Sequence, residues 1–285
     1  MTTSLKKPVT PIASVSSTQC SSVSLLGDGT EKFELCCFQM ADRQVRLLTT
    51  SSSQSLLETL IAASTQPSGP VSEKLGGRAT IIPFVSEGDD SFVLKSYQRG
   101  GVLRRVLPKD IFLGWGEERS ERELRALLTA RSLGVSVPTP VGTITTRGMF
   151  RREWLIMEAL PTHRTLATIA VNEEKSGELS EPLEQYLRVV VEQIEKLIAA
   201  GILHIDLHPG NVVVSSTGDV FLIDFDHAVV LNQDERMLRE RYIRRWRRAV
   251  IKHELPEILS EIFCALLRRK VEARSENTEG VGEPS

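Results

Sequence analysis

Three oxygen-bearing side chains in the second half of the chain most constrain what this sequence can fold into. Asp206 and Asn211 lie in the stretch HIDLHPGN, and Asp224 opens the tripeptide DFD. Between them, the apolar runs NVVV and VFLI flank the turn residues 216–219 and predict a β-hairpin. A long amphipathic helix, predicted over SEPLEQYLRVVVEQIEKLIAAG, precedes the set. Its predicted apolar stripe consists of Leu183, Leu187, Val190, Ile194, Leu197 and Ile198. The fold must therefore hold a loop and a strand end beside each other.

These residue types suit phosphoryl transfer from a nucleotide. The reaction needs a carboxylate that accepts the proton of the attacking hydroxyl, and it needs oxygen ligands for the Mg²⁺ ions that bridge the phosphates. The order D-x-x-x-x-N followed by D-F-x supplies these groups and is typical of kinase catalytic loops. A solvated Pro-Gly turn would explain Asp206 or Asp224 alone, but it explains the ordered set poorly.

Three histidines close to this set offer an alternative. His204, His208 and His227 are candidates for metal ligands, since imidazole is a common ligand. No cysteine lies nearby, and hard Mg²⁺ prefers carboxylate oxygens, so a transition-metal site is the weaker hypothesis. We predict instead that His204 braces the catalytic loop by hydrogen bonding, and we group it with Asp206 among the catalytic residues.

The first half of the chain supplies groups that suit the phosphates of ATP. A turn with two glycines precedes a predicted strand, Lys95 lies on the next strand, and Glu123 lies in the helix predicted after it. Taken singly, each has an ordinary explanation: a hairpin turn, a solvated lysine and a surface acid. Their order along the chain is nevertheless that of a kinase. The residues expected to cover the phosphates are Gly76, Gly77, Arg78, Ala79 and Thr80.

These residues resemble the bacterial lipopolysaccharide kinases, and within them the 3-deoxy-D-manno-octulosonic acid (Kdo) kinases. The resemblance rests on LKSYQRGGVLRRVL, ERSERELRALLTARSLGVSVPTPVG, HIDLHPGN and LIDFD, and it covers about residues 73–230. It implies a protein-kinase-like fold with ATP and Mg²⁺ as cofactors. It also implies transfer of the γ-phosphate to a sugar hydroxyl of the lipid A–core precursor, at the cytoplasmic face of the inner membrane.

The resemblance further implies a role for each candidate residue. Asp206 would be the catalytic base. Lys95 would align the α- and β-phosphates, and Glu123 would orient Lys95. The residues that would hold Mg²⁺ are Asn211 and Asp224, and those that would lie at the adenine hinge, mainly through their backbone, are Glu158 and Leu160.

The expected fold class is α+β, a two-lobed protein-kinase-like fold. Its N-lobe would be an antiparallel β-sheet with one main helix, and its C-lobe would be mostly helical. Alternation in SFVLKSY predicts that Lys95 and Tyr97 share one face of a strand. The expected segments are a partly disordered N-terminal arm (1–70), a nucleotide-binding N-lobe (71–160), a catalytic C-lobe (161–272) and a disordered tail (273–285).

Within the arm, two stretches have regular patterns. EKFELCCFQM is interpreted as a strand, and SSSQSLLETLIAAS, residues 51–64, predicts a short amphipathic helix. The remaining residues up to about 30 are rich in Ser and Thr and offer little apolar surface to bury, which favours disorder.

Composition bears on partners and location. The chain has 35 Lys+Arg against 37 Asp+Glu, a balance that argues against a general nucleic-acid binder. Its four cysteines form no C-x-x-C pair, which favours a reducing cytosol. Neither a secretory signal nor an apolar run long enough to span a bilayer is visible. We therefore expect a cytoplasmic location, with no nucleic-acid partner and no implied protein partner.

The basic helix predicted over residues 236–252 bears on the acceptor. Arginine binds carboxylates and phosphates with paired hydrogen bonds, so this helix suits an anionic glycolipid or sugar. Peripheral contact with the inner membrane and a merely solvated helix are the alternatives for the same charge. The chain passes from DFD to this helix without an A-P-E motif or a long activation segment, which disfavours a peptide acceptor.

Two other functions stay open. HPGN is similar to the corresponding loop of small-molecule phosphotransferases of the aminoglycoside or choline kinase type. A non-catalytic, nucleotide-binding pseudokinase is the second alternative. The joint presence of Lys95, Asp206, Asn211 and Asp224 argues against the pseudokinase.

Overall fold

The computed structural model describes residues 16–24, 32–40, 42–48, 60, 79–85, 90–97, 111–113, 116–176 and 181–279. The helices are α1 (Arg119–Ser132), α2 (Leu166–Ser176), α3 (Glu181–Ala199), α4 (Glu235–Lys252) and α5 (Ile258–Glu279). The strands are β1 (Ser16–Ser24), β2 (Lys32–Met40), β3 (Arg43–Leu48), β4 (Ala79–Val85), β5 (Ser91–Tyr97), β6 (Phe112–Leu113), β7 (Pro140–Thr146), β8 (Phe150–Arg151), β9 (Glu153–Glu158), β10 (His163–Thr165), β11 (Ile202–His204), β12 (Val212–Ser215), β13 (Val220–Leu222) and β14 (Ala228–Val230). This mixture of helices and antiparallel strands confirms the expected α+β class.

An antiparallel sheet of seven strands, in the order β1-β2-β3-β7-β9-β5-β4, forms the first part of the structure. In β5, Phe92 and Leu94 pack in an apolar cluster with side chains of β3 and β9. Lys95 and Tyr97 point the other way and contact α1, because successive side chains of a strand alternate between its faces. The alternation predicted for SFVLKSY is confirmed.

The expectation of disorder up to about residue 30 is wrong for the described residues Ser16–Ser24, which form β1. The strands β1, β2 and β3 run antiparallel, and β3 pairs with β7. The Ser-rich composition was a poor guide because β1 is ordered through backbone hydrogen bonds with β2, which do not depend on apolar side chains. In β3, Val45 and Leu47 are fully buried. β2 confirms the strand expected in EKFELCCFQM. The short helix expected over 51–64 lies outside the described residues except for Leu60, which is helical and buried.

The amphipathic helix α3 is the centre of the second part of the structure. Its buried stripe is the predicted one and consists of Leu183, Leu187, Val190, Ile194, Leu197 and Ile198. Helices α4 and α5 pack beside it. Trp246 of α4 stacks on Phe263 of α5 with ring centroids 4.2 Å apart, and its indole N–H donates to the Leu259 carbonyl at 3.0 Å. This core fixes the position of α4.

The last helix extends into the segment that was expected to be a disordered tail. The backbone of α5 is helical to Glu279, and residues 280–285 lie outside the described range. The stretch VEARSENTE lacks Gly and Pro and includes Glu, Ala and Arg, which have high helix propensity, so its polarity alone did not decide its structure. Among the described residues, none of the helices is both long and apolar enough to cross a membrane.

Candidate active site

Two small strand pairings hold the HIDLHPGN stretch against the end of β13. β11 pairs with β14, and β12 and β13 form the predicted hairpin. The backbone N–H of Ile223 donates to the carbonyl of Asn211 at 3.0 Å. The loop between β11 and β12 therefore lies beside the residue that follows Ile223, which is Asp224.

Asn211 is oriented by the loop that contains Asp206. Its side-chain Nδ2 donates to the backbone carbonyl of Asp206 at 2.9 Å. The short 3₁₀ turn Pro209–Asn211 is stabilised where His208 Nδ1 accepts from the N–H of Gly210 at 3.0 Å. Because the amide nitrogen is used within the loop, the amide oxygen of Asn211 is the end that can serve a ligand.

Lys95 joins the sheet, α1 and the DFD stretch. Its Nζ lies 2.8 and 2.7 Å from the two carboxylate oxygens of Glu123 and 2.6 Å from Oδ1 of Asp224. Lys95 is 6% exposed and Glu123 only 1%. The Tyr97 hydroxyl donates to Glu123 Oε2 at 2.5 Å and so fixes that carboxylate. The Lys95–Glu123 pairing considered from the sequence is therefore present.

Lys95 and Asp224 stabilise each other's charge, whereas burial raises the pKa of Glu123. Burial alone would lower the pKa of the Lys95 ammonium, but Glu123 and Asp224 outweigh burial and hold that pKa above its usual value. Burial also raises the pKa of Asp224, yet the Lys95 ammonium outweighs it and the net shift is downward. Lys95 is therefore a cation and Asp224 an anion throughout the neutral range.

The backbone of Asp224 adopts a left-handed conformation, with φ of 65°. Residues other than glycine rarely occupy this region, although Asp tolerates it better than most. The turn directs the Asp224 carboxylate towards Lys95 instead of continuing β13. Nothing in the sequence LIDFD indicates this local conformation.

Asp226 is held by two arginines of α1 that sequence reasoning missed. Arg122 donates from Nη2 to Asp226 Oδ1 and from Nε to the Asp226 carbonyl, both at 2.9 Å, and Arg119 pairs with the same carboxylate. Burial would raise the pKa of Asp226, but these two guanidinium groups lower it. Arg119, Arg122 and Glu123 follow an i, i+3, i+4 spacing, the signal that could have identified one functional face of α1.

Asp206 is the exposed member of the set. About 45% of its side chain is accessible, and its Oδ2 lies 2.9 Å from Nδ1 of His227. The same His227 nitrogen lies 3.6 Å from Asp226. Asp206 therefore presents a carboxylate to solvent, next to a residue that links it to the DFD stretch.

His204 is buried beneath the loop. Its Nε2 lies 3.0 Å from the Ile223 carbonyl, and its ring packs against Phe225 with centroids 4.3 Å apart. The backbone N–H of His204 donates to the Tyr242 hydroxyl at 2.9 Å, and that hydroxyl donates in turn to the Ile202 carbonyl. Burial lowers the pKa of His204 to about 4. The imidazole is therefore neutral and makes the bracing contacts expected of it.

The remaining predicted residues are less closely gathered. Gly76, Gly77 and Arg78 lie outside the described residues, while Ala79 and Thr80 begin β4 and pair with β5. Glu158 and Leu160 line a pocket of about 430 Å³ together with the loop after α1. Neither Lys95 nor Asp224 belongs to the lining of that pocket among the described residues.

A second pocket, of about 410 Å³, opens beside Asp206. One of its walls is the loop residues Ile205–His208, and the other is the C-terminal half of α4. Sequence reasoning identified α4 as basic but did not place it against the catalytic loop. Asp206 therefore lines the same pocket as basic residues of α4.

The donor types fit Mg²⁺ better than a transition metal. Asp224 offers a carboxylate oxygen and Asn211 an amide oxygen, whereas Mg²⁺ usually takes one or two protein oxygens and completes its shell with phosphates and water. Within the described part of the chain, no three His, Cys, Asp or Glu side chains gather as a metal site. The assignment of Mg²⁺ to Asn211 and Asp224 stays a prediction.

Comparison with known proteins gives a consistent result. A sequence model of the lipopolysaccharide kinase (Kdo/WaaP) family matches residues 64–259. A 3-deoxy-D-manno-octulosonic acid kinase of Vibrio parahaemolyticus is 28% identical over 195 residues, 67% of this chain and 78% of the relative. The Vibrio cholerae enzyme of the same name is 30% identical over 167 residues, 58% and 68% of the two chains. One from Xanthomonas campestris is 33% identical over 186 residues, 64% and 70%.

A solved structure supports the fold. The chain of WaaP in complex with acyl carrier protein superposes with a TM-score of 0.50 at 14% identity, covering 73% of this chain and 81% of that one. The likeness suggests a kinase-like fold. The family match begins ahead of β4 and extends into α5, so it includes every predicted site residue, and the chain belongs to the lipopolysaccharide kinase (Kdo/WaaP) family.

Proposed function

We propose that this protein is an ATP-dependent kinase that phosphorylates a sugar hydroxyl, with the Kdo residue of the lipopolysaccharide inner core (Kdo-lipid A) as the acceptor. The observation that carries the proposal is the contact of one buried ammonium, Lys95, with both Glu123 and Asp224. Family membership and the names of the relatives give the acceptor class.

The proposed organisation has two lobes with the nucleotide between them. The N-lobe would comprise the seven-stranded sheet with α1, and the C-lobe would comprise α2 to α5 with the catalytic loop. Glu158 and Leu160 would bind adenine through their backbone where the lobes join. The segment 76–80 would cover the phosphates from the N-lobe side.

Lys95 would align the α- and β-phosphates of ATP. Glu123 and the Tyr97 hydroxyl hold the lysine side chain in place, so little rotamer entropy remains to be lost when the nucleotide binds. Asp224 and Asn211 would hold Mg²⁺, which would neutralise phosphate charge when bound.

Asp206 would act as the general base. It is exposed towards the pocket beside α4, so a sugar hydroxyl seated there can donate its proton to Oδ1 or Oδ2 as the oxygen attacks phosphorus. His204 would contribute indirectly, because its hydrogen bond to the Ile223 carbonyl and its position at the end of β11 fix the start of the loop that contains Asp206.

The acceptor implies a place of action. Kdo-lipid A is a membrane lipid, and ATP is a cytoplasmic donor. The enzyme would therefore work at the cytoplasmic face of the inner membrane, as a peripheral protein that reaches the headgroup region.

Transfer assays test the proposal against both alternatives. Purified protein is incubated with ATP, Mg²⁺ and either Kdo-lipid A, an aminoglycoside or choline. We expect phosphate on Kdo-lipid A, and none when Asp206 is replaced by Ala. Phosphorylation of only a soluble acceptor would indicate a small-molecule phosphotransferase. Nucleotide binding without transfer to any of them would indicate a pseudokinase.

A further inference from the structure

We propose that the pocket beside Asp206 is an anion-binding subsite, in which arginines of α4 hold a phosphate or carboxylate group of the acceptor. This inference rests on the proposed function and adds the residues that select and orient the acceptor. The subsite comprises Arg241, Arg244, Arg245, Arg248 and Lys252 on one side, and Asp206 and His208 on the other.

The spacing of the cations places them on one face of α4. Residues 241, 245, 248 and 252 follow one another at intervals of four, three and four, so they project from successive turns on the same side of the helix. The opposite stripe of α4, with Tyr242 and Trp246, is buried in the core. The core therefore determines which face of the helix is turned towards the catalytic loop.

In the described part of the chain, Asp206 is the one carboxylate that lines this pocket, and it pairs with His227. None of the five has a carboxylate oxygen within ion-pair distance there, although like charges four residues apart on a helix repel one another. Arg239, one turn earlier on the same helix, is different: its Nε and Nη2 lie 3.0 and 2.7 Å from Glu195. Among the described residues, Arg239 is therefore ion-paired, whereas the pocket arginines pair with no carboxylate.

Arg245 couples the subsite to the base. Its Nη1 donates to the carbonyl of Ile205 at 2.6 Å, and Ile205 immediately precedes Asp206. The guanidinium is partly buried and carries further N–H donors that this bond does not use. An anion held by Arg245 and its neighbours is therefore held at a fixed distance from Asp206, which positions a hydroxyl of the same molecule at the base.

The anion is assigned to the acceptor and not to ATP. This pocket is lined by Asp206, the proposed base for the acceptor hydroxyl, whereas the proposed adenine residues Glu158 and Leu160 line a separate pocket. A planar guanidinium binds carboxylate and phosphate in a bidentate manner, which suits both kinds of group on an acidic glycolipid. These residues are positioning residues, since they act by fixing where the acceptor lies.

Anionic phospholipid headgroups are the competing source of the same chemistry. Arg247 and Ile251 do not line the Asp206 pocket; they line a neighbouring outer surface of α4 together with Arg244, Arg248 and Lys252, which border both. A helix that only binds a bilayer would use this outer surface as much as the pocket face. Arg247 is therefore a matched control for Arg241 and Arg248: it has the same charge, lies on the same helix and is exposed.

The experiment uses the full chain with Kdo-lipid A in neutral detergent micelles, without bilayer lipid. We expect the double variant Arg241→Gln/Arg248→Gln to raise the acceptor KM at least tenfold, to change the KM for ATP less than twofold, and to keep the Tm of the wild type. Arg241→Lys/Arg248→Lys should recover part of the loss, and Arg247→Gln should match the wild type. An unchanged acceptor KM in the double variant overturns the proposal.

Two further measurements separate the possible failures. Calorimetric binding of Kdo-lipid A micelles without ATP reports on the subsite even if no phosphate is transferred, and the wild type should bind at least tenfold more tightly than the double variant. Equal binding overturns the subsite whatever the activity, whereas tight binding without transfer overturns only the proposed function. If all three Gln substitutions weaken sedimentation with phosphatidylglycerol vesicles equally while micelle binding is unchanged, α4 is a membrane surface and the subsite is refuted.

Discussion

The two cationic regions of the molecule handle charge in opposite ways. Lys95 is buried and already contacts two carboxylates, whereas the arginines of α4 that line the pocket beside Asp206 form no ion pair with a described carboxylate. A buried charge without a partner would carry a large desolvation cost, so Lys95 has to be neutralised for the chain to fold. The pocket cations are exposed or partly exposed, so they can stay unpaired until an anionic group of the ligand binds. The Lys95 cluster is therefore organised before any ligand binds, whereas the charge of the α4 pocket would be neutralised only by its ligand.

Replacing the base should have the largest effect. Asp206→Ala removes the proton acceptor and should lower kcat by about 10²- to 10⁴-fold, while nucleotide binding persists because Asp206 does not contact Lys95. Single-turnover transfer and calorimetric ATP binding measure the two quantities. Near-wild-type transfer in this variant would mean that another group accepts the proton.

Removing the buried cation should affect folding as well as catalysis. Lys95→Met leaves Glu123 buried without its ion partner and should lower the free energy of unfolding by about 3–5 kcal/mol, measured by urea titration. Lys95→Met/Glu123→Leu should recover much of this stability without recovering activity. Equal stability of wild type and single variant would show that the cluster is not tightly coupled.

The pH dependence of stability should reveal the buried histidine. Burial lowers the folded-state pKa of His204 to about 4, against about 6.5 in the unfolded chain. Its contribution is therefore complete above about pH 6.5 and is lost as the pH falls towards 4. Between pH 7.5 and 5, the wild type should lose about 2 kcal/mol more unfolding free energy than His204→Gln. Parallel pH curves would contradict a buried neutral imidazole.

A change in salt concentration should give the smallest effect, but it should distinguish the pocket cations most clearly from the buried Lys95 cluster. Hydrated charges are screened by ions, whereas buried pairs are screened much less. The acceptor KM should rise roughly threefold between 0.05 and 0.3 M NaCl in the wild type and in Arg247→Gln, and less in Arg248→Gln. The stabilising coupling between Lys95 and Glu123 should hardly change. Identical salt slopes in all variants would remove the proposed role of the pocket charge.

Much of the site could be predicted because its residues lie in a fixed order along the chain. The strand lysine, the helix glutamate and the D-x-x-x-x-N loop each belong to one local element, and alternation in β5 correctly placed Lys95 and Tyr97 on the same face. Local periodicity also identified the buried stripes of α3 and α4.

The rest depends on contacts between distant segments. The pairing of Asp226 with Arg119 and Arg122 joins residues more than a hundred positions apart, and the left-handed Asp224 has no sequence signature. The composition of the stretch that forms β1 suggested disorder. Composition does not reveal that the backbone of this stretch pairs with β2. Likewise, the count of charged residues identified α4 as basic but did not show which of its arginines line the pocket beside Asp206.

The most direct measurement of the central claim is the mass of Kdo-lipid A after incubation with ATP, Mg²⁺ and the purified protein. The proposal predicts a gain of one phosphate on the Kdo sugar with the wild type and no gain with Asp206→Ala. An unmodified glycolipid, or equal phosphorylation by both proteins, would contradict it.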